Sequence, residues 1–151
     1  MLRLLHQLEL PPGWLAIFAG LAWLQARLWP MQVLGRVGDV LGTLLVAAGL
    51  AVSVWAALQV LLQRTSLFPR RTPERLVTTG LYRVSRNPIY LADAAILLGL
   101  VLIWDAIPSL VLVPLFVRLI ERRFIEGEEA AIRARFGTEY DAYRARVRRW
   151  I

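Results

Sequence analysis

Four apolar blocks, separated by short polar or charged connections, dominate the chain. Residues 13 to 30, "GWLAIFAGLAWLQARLWP", form the first, with Arg27 as its only formal charge and near one end, where a long side chain reaches headgroups. Residues 38 to 62 form the second and longest, with Asp39 at its edge, enough to cross a hydrocarbon core of roughly 30 Å. The third, 88 to 104, and the fourth, 106 to 120, are shorter and separated by Asp105 alone. They predict a tight helical hairpin, with Pro88 in a first turn and Pro108 or Pro114 reshaping the return helix. A re-entrant segment or one long bent helix is the competing reading of these two blocks. After residue 120, "ERRFIEGEEAAIRARFGTEYDAYRARVRRWI" reads as helix, a turn at Gly137 and a further helix that Thr138 is placed to cap.

The predicted class is therefore all-α: a polytopic membrane protein with about four transmembrane helices and an amphipathic C-terminal region at the cytoplasmic surface. It divides into an N-terminal helix pair (1–62), an Arg-rich connection (63–87) and a hairpin with its tail (88–151). Composition strengthens this reading: 58% of the residues are hydrophobic, more than a compact soluble domain needs for its core. With no cysteine and a single histidine, His6, the chain lacks ligands for a disulfide scaffold or a Cys/His zinc site. No metal is expected, and His6 reads as a solvated interfacial residue. A cleavable signal peptide is disfavoured, because Arg3 is the sole early basic residue and Pro11-Pro12 interrupts the segment.

Charge sets the expected orientation. Residues 63 to 87 hold Arg64, Arg70, Arg71, Arg75, Arg83 and Arg86 against Glu74, and the tail is also Arg-rich. The other two connections contain only Arg36 with Asp39, and Asp105. The positive-inside rule puts both termini and the central connection in the cytoplasm, in an inner or plasma membrane. All 18 basic residues are arginine, so the net charge of +7 holds across the ordinary pH range. Topology and anionic lipid account for that charge, and no nucleic-acid recognition element accompanies it.

Chemistry enters where "LVTTGLYRVSRNPIYLADAAILLG" (76–99) runs from arginine-bearing sequence straight into an apolar helix. If the third and fourth blocks form a hairpin, Arg83, Arg86, Asn87 and Tyr90 return to the same interface as Glu128 and Glu129. Arginine clamps carboxylate or phosphate, carboxylates receive a ribose diol or an ammonium, and tyrosine gives an aromatic wall with a hydroxyl. That mixture suits a zwitterionic ligand, although simple interfacial anchoring uses the same residue types.

At these positions the chain resembles the isoprenylcysteine carboxyl methyltransferase and phospholipid methyltransferase superfamily of small membrane enzymes. The likeness rests on the 76–99 stretch, close to Gly-x-Tyr-Arg followed by Arg-His-Pro-x-Tyr, and on "EEAAIRARFGTEYDAYRARVRRWI", close to Glu-Glu, then Phe-Gly-x-Glu-Tyr, a second Tyr and a basic end. The resemblance implies S-adenosylmethionine as cofactor. It implies that Arg86, Asn87, Pro88 and Tyr90 begin the cofactor site, with Glu128 and Glu129 as its acidic side. By the same resemblance Tyr140 and Tyr143 close the pocket, and Arg83, Tyr90 and Arg144 take catalytic positions. Asn87 stands where histidine is usual, and Ala92 where glycine is common. Asparagine donates through its amide but does not titrate near neutral pH.

Asp93, one turn beyond Tyr90, reads as paired with Arg86 or Arg83, as orienting the acceptor, or as exposed at the interface. No Gly-x-Gly-x-x-Gly follows a strand-like run, so a doubly wound cofactor domain is not present in the sequence. The implied acceptor is a lipophilic small molecule or lipid: a prenylated cysteine carboxylate, a phospholipid amine or another hydrophobic compound. Competing functions are NADPH-dependent reduction of a lipid double bond and a nonenzymatic membrane interaction module.

Overall fold

The computed structural model describes residues 10–63 and 74–151. His6 and the arginines at 64, 70 and 71 lie outside the described residues. Every regular element among those described is helical. Helix α1 (Pro11–Leu28) opens on Pro11 and Pro12, whose missing N–H groups cost nothing in a first turn. Helix α2 (Gly35–Leu62) has 28 residues, a length of about 42 Å. Helix α3 (Pro88–Ile103) starts with Pro88 at the position the sequence predicts.

The hairpin turn follows at Trp104 to Ala106, where Asp105 takes φ 50. A 3-10 turn (Ile107–Val111), helix α4 (Leu112–Ile120), a π turn (Glu121–Ile125) and helix α5 (Glu126–Phe136) then run on without a break in helical backbone. The fourth apolar block and the start of the tail are thus one continuous helical rod rather than a span followed by a separate segment. Pro114 does not break it, because the preceding turn is 3-10 and already lacks the α-type bond that proline forfeits. Gly137, at φ 51, makes the expected turn into helix α6 (Thr138–Arg146). Thr138 is the first residue of α6 and forms no side-chain cap; Gly137 occupies the cap position.

Helices α2 and α3 approach closely along Gly38, Gly42 and Gly49 on one and Gly99 on the other. A Cβ on Gly42 would lie 2.4 Å from the Gly99 carbonyl oxygen, so only glycine permits this spacing. The second layer is aromatic and aliphatic: Phe18 of α1 meets Phe116 of α4 edge to face at 5.5 Å, over buried Leu97, Ile120 and Ile125.

Among the described residues one helix, α2, is long and apolar enough to cross a membrane on its own, and only 17% of its most apolar stretch is buried. The expectation of about four spans therefore meets a helical bundle in which length and apolarity single out one. Gln25 and Arg27 reduce the apolarity of α1, α3 has 16 residues, and α4 has nine. Leucine and valine side chains such as Leu21, Leu28, Val40, Leu44 and Leu58 face outward along α1 and α2, an apolar surface far larger than water tolerates.

Asp105 fixes the relation between the two hairpins. Its Oδ2 accepts the backbone N–H groups of Val33, Leu34 and Gly35 at 2.7, 3.0 and 3.2 Å, joining the α3–α4 turn to the α1–α2 connection. Desolvation raises its pKa, but these three donors outweigh it and hold the carboxyl below its usual range. The two charge-poor connections consequently share one end of the bundle, and the α3 entrance shares the other with α5 and α6.

Candidate functional site

The site forms where the polar sequence before α3 meets the tail. A 3-10 turn (Gly80–Arg83) delivers Ser85, Arg86 and Asn87 to the start of α3. The residues after α6, beginning with Val147 in extended backbone, cross this turn as a strap. Arg86 N donates to the Arg148 carbonyl at 3.1 Å, and the Arg149 carbonyl accepts from Asn87 Nδ2 at 3.1 Å and Ser85 Oγ at 3.3 Å. Tyr143 Oη donates to the Tyr82 carbonyl at 2.6 Å and pins α6 to the same turn. The tail is thereby packed on the bundle, burying Tyr140, Tyr143 and Val147 against Leu76, Ile132 and Phe136.

An acidic and basic cluster lies beneath the strap. Arg86 Nη2 donates to Glu129 Oε1 at 2.8 Å, while Arg149 Nη2 donates to Glu129 Oε2 at 2.7 Å. Arg149 also pairs with Glu121. Side-chain exposure is 9% for Arg86 and 15% for Glu129, so the pair is largely withdrawn from water. One turn deeper, Tyr90 Oη donates to Glu128 Oε1 at 2.8 Å. The π turn at Glu121–Ile125 shifts the register of the rod immediately before these two carboxylates, a feature frequent at functional sites.

The neighbouring carboxylates titrate in opposite directions. Burial raises the Glu128 pKa and the Glu129 charge adds to it, although the Tyr90 hydroxyl partly opposes the shift. Burial also acts upward on Glu129, but Arg149 and Arg86 outweigh it and hold that carboxyl below the usual range. Burial pushes the Tyr143 hydroxyl up to about 12 against the pull of Arg86, and it raises Tyr82 as well.

These groups border a cavity of about 860 Å³ that runs from Glu129 and Arg86, past Tyr90 and Asp93, to an apolar wall including Val54, Ala57 and Val60 of α2. Three of its lining residues carry a buried polar atom with no partner: Arg86 Nε, Tyr140 Oη and Ser53 Oγ. Such orphaned atoms cost free energy unless a ligand meets them. Together with paired guanidinium and carboxylate groups, they fit a ligand carrying both charge signs.

Comparison with known families adds one finding. The phospholipid methyltransferase model matches residues 37–139. The chain belongs to the phospholipid methyltransferase family. Curated proteins and solved structures yield no match. Membership places the chain among integral membrane enzymes that transfer methyl groups to lipid-like substrates. The matched stretch takes in α2, α3 and the rod through α5, hence most of the cavity wall.

Of the residues that the sequence puts forward, the structure brings Arg86, Asn87, Pro88, Tyr90, Glu128, Glu129, Tyr140 and Tyr143 to one cavity. Arg83 lies exposed and outside its lining. Arg144 is also exposed; it lines a smaller recess of about 240 Å³ that Glu129 also borders, while its carbonyl accepts from Arg86 Nη1 at 3.4 Å. The Asn87 amide is engaged by the Arg149 carbonyl. Asp93 pairs with neither Arg86 nor Arg83: Arg86 is taken by Glu129, and Asp93 sits 8% exposed in the cavity wall. Three contributors escape sequence reasoning. Arg149 and Glu121 look like any charges of an Arg-rich tail, and Ser53 is a small residue inside an apolar run.

Proposed function

We propose that the protein is an S-adenosylmethionine-dependent methyltransferase whose acceptor is a small lipophilic molecule or lipid. The observation that carries the reading is the Arg86–Glu129 pair at 2.8 Å, set in a cavity wall with unpartnered Arg86 Nε and Tyr140 Oη and continuous with an apolar wall on α2. Bound S-adenosylmethionine supplies an electrophilic methyl group on its sulfonium.

The chain's own work is placement. Arg86 is suited to the cofactor's carboxylate, Glu129 and Glu128 to its ammonium and ribose hydroxyls, and Tyr140 and Tyr143 to closing the pocket. Pro88 and Asn87 hold the start of α3 beneath the strap. The apolar wall keeps water from competing for the methyl group and aligns a lipid tail. A lipophilic acceptor enters sideways from the bilayer, while the charged cofactor enters from the Arg-rich end, with both termini and residues 63–87 in the cytoplasm.

Equilibrium binding of S-adenosylmethionine and of NADPH to the purified, detergent-solubilised protein tests the cofactor. Binding of NADPH alone would overturn the reading. Membrane extract with radiolabelled S-adenosylmethionine tests the acceptor: label is expected in the lipid fraction, and enzyme-dependent label confined to protein refutes a small lipid acceptor.

A further inference from the structure

Glu129, the carboxylate suited to a ligand's ammonium, already holds a cation of this chain. Arg149 Nε donates to its Oε1 at 3.2 Å and Arg149 Nη2 to its Oε2 at 2.7 Å, so one guanidinium engages both oxygens as a fork. Arg86 Nη2 reaches Oε1 as well, at 2.8 Å. An incoming ammonium therefore meets a carboxylate whose charge is already matched twice.

The two arginines are not equally placed to leave. Arg86 Nη1 is held by the Arg144 and Val147 carbonyls at 3.4 and 3.3 Å, and the side chain is 9% exposed. Arg149 is 30% exposed, and its Nη1 is paired with a second carboxylate, Glu121. A guanidinium that lets go of Glu129 at this point keeps one opposite charge and is never left unpaired. Arg149 borders the recess of about 240 Å³ together with Glu129 and Tyr140, whereas the larger cavity is lined by Glu129 and Tyr140 but not by Arg149. The strap has no need to unfold for the side chain to move, because Ser85 and Asn87 are held by the Arg149 carbonyl.

We propose that Arg149 is a built-in competitor for the ammonium of the bound cofactor, seated on Glu129 until the ammonium displaces it and then held by Glu121 alone. This rests on the methyltransferase reading, in which Glu129 receives that ammonium. The exchange keeps Glu129 charge-matched throughout, sends the guanidinium toward the recess and away from the ligand, and sets the cofactor's affinity below what the cavity would otherwise give.

Calorimetry on the full chain in detergent compares S-adenosylmethionine with methylthioadenosine, which lacks both ammonium and carboxylate, in wild type, Arg149→Gln and Glu121→Gln. Arg149→Gln is expected to bind S-adenosylmethionine at least about fivefold more tightly, because the competitor is gone, and Glu121→Gln at least about threefold more weakly, because the displaced guanidinium loses its second carboxylate. Methylthioadenosine is expected to change by less than about twofold in both variants. An ion pair that only holds the strap in place predicts losses of one sign, in both variants and for both ligands. Unchanged or weaker S-adenosylmethionine binding by Arg149→Gln overturns the proposal, as does an equal gain for methylthioadenosine. If Arg149→Gln fails to fold, Glu121→Gln decides: selective weakening of S-adenosylmethionine supports the competitor, and equal affinity overturns it. A chain that binds S-adenosylmethionine in none of the three forms sinks the methyltransferase reading and the competitor with it, whereas binding without the opposite-signed response sinks the competitor alone.

Discussion

Arg86 and Glu129, 43 residues apart, meet at 2.8 Å and close the ring that joins the start of α3 to α5. Arg149 reaches Glu129 from the strap, so one carboxylate organises two guanidinium groups from different parts of the chain.

Removing either partner is expected to weaken S-adenosylmethionine binding. Glu129→Gln and Arg86→Ala should each cost at least about tenfold in affinity, roughly 1.4 kcal/mol. Because the two side chains touch, the double variant should lose less than the sum of the single losses. Calorimetry of the four proteins checks both points; unchanged affinity in both folded single variants would refute the site.

The paired glutamates should respond to pH with opposite signs. Glu129 has a lowered folded pKa, so its stabilising contribution is complete above the ordinary value of 4.5 and is lost as pH falls through the lower folded value. Glu128 has a raised folded pKa, so its contribution is present below 4.5 and is lost as pH rises through the folded value. Thermal melts should therefore show Glu129→Gln below wild type at pH 7, with the gap narrowing in acid. Glu128→Gln, which keeps an acceptor for Tyr90, should melt at or above wild type at pH 7. Identical shifts from the two variants would contradict the assignment.

The α2–α3 contact predicts a sharp contrast between glycines. Gly42→Ala places a methyl group 2.4 Å from the Gly99 carbonyl oxygen and should destabilise the fold by roughly 1–3 kcal/mol. Gly20→Ala meets nothing within 4 Å and should be neutral or slightly stabilising, by up to about 1 kcal/mol through helix propensity. Melting of the two variants in one detergent distinguishes them, and equal stability would show that the helices do not approach as described.

Topology is testable because the chain has no cysteine. Single cysteines at Val33, Thr72 and Ile151 should give labelling by an impermeant thiol reagent in intact cells at position 33 alone. Labelling at 72 or 151 before membrane disruption would reverse the orientation.

Local pattern was sufficient for much of this protein. Apolar runs and prolines marked α1, α2 and the Pro88 start of α3, because helix periodicity and proline's missing N–H act within a few residues. Gly137 announced the turn before α6 for the same local reason, since glycine adopts a positive φ without strain. The apolar pattern and the predicted hairpin put Arg86, Tyr90, Glu128 and Glu129 at one interface, and the fold gathers them around one cavity; their reading as a cofactor site came from the family resemblance.

Partner choice was decided only in three dimensions. Eighteen arginines are chemically alike in sequence, and nothing local distinguishes Arg149, which binds Glu129, from Arg83, which stays exposed. Asp105 looked like a turn residue; the fold made it the acceptor for three N–H groups some seventy residues away in sequence. Asp93 had two arginines within reach along the chain, yet the competing pull of Glu129 on Arg86 left it alone in the cavity wall. Helix formation depends on neighbours in sequence, whereas the pairing of a buried charge depends on which opposite charge the packed helices bring nearest.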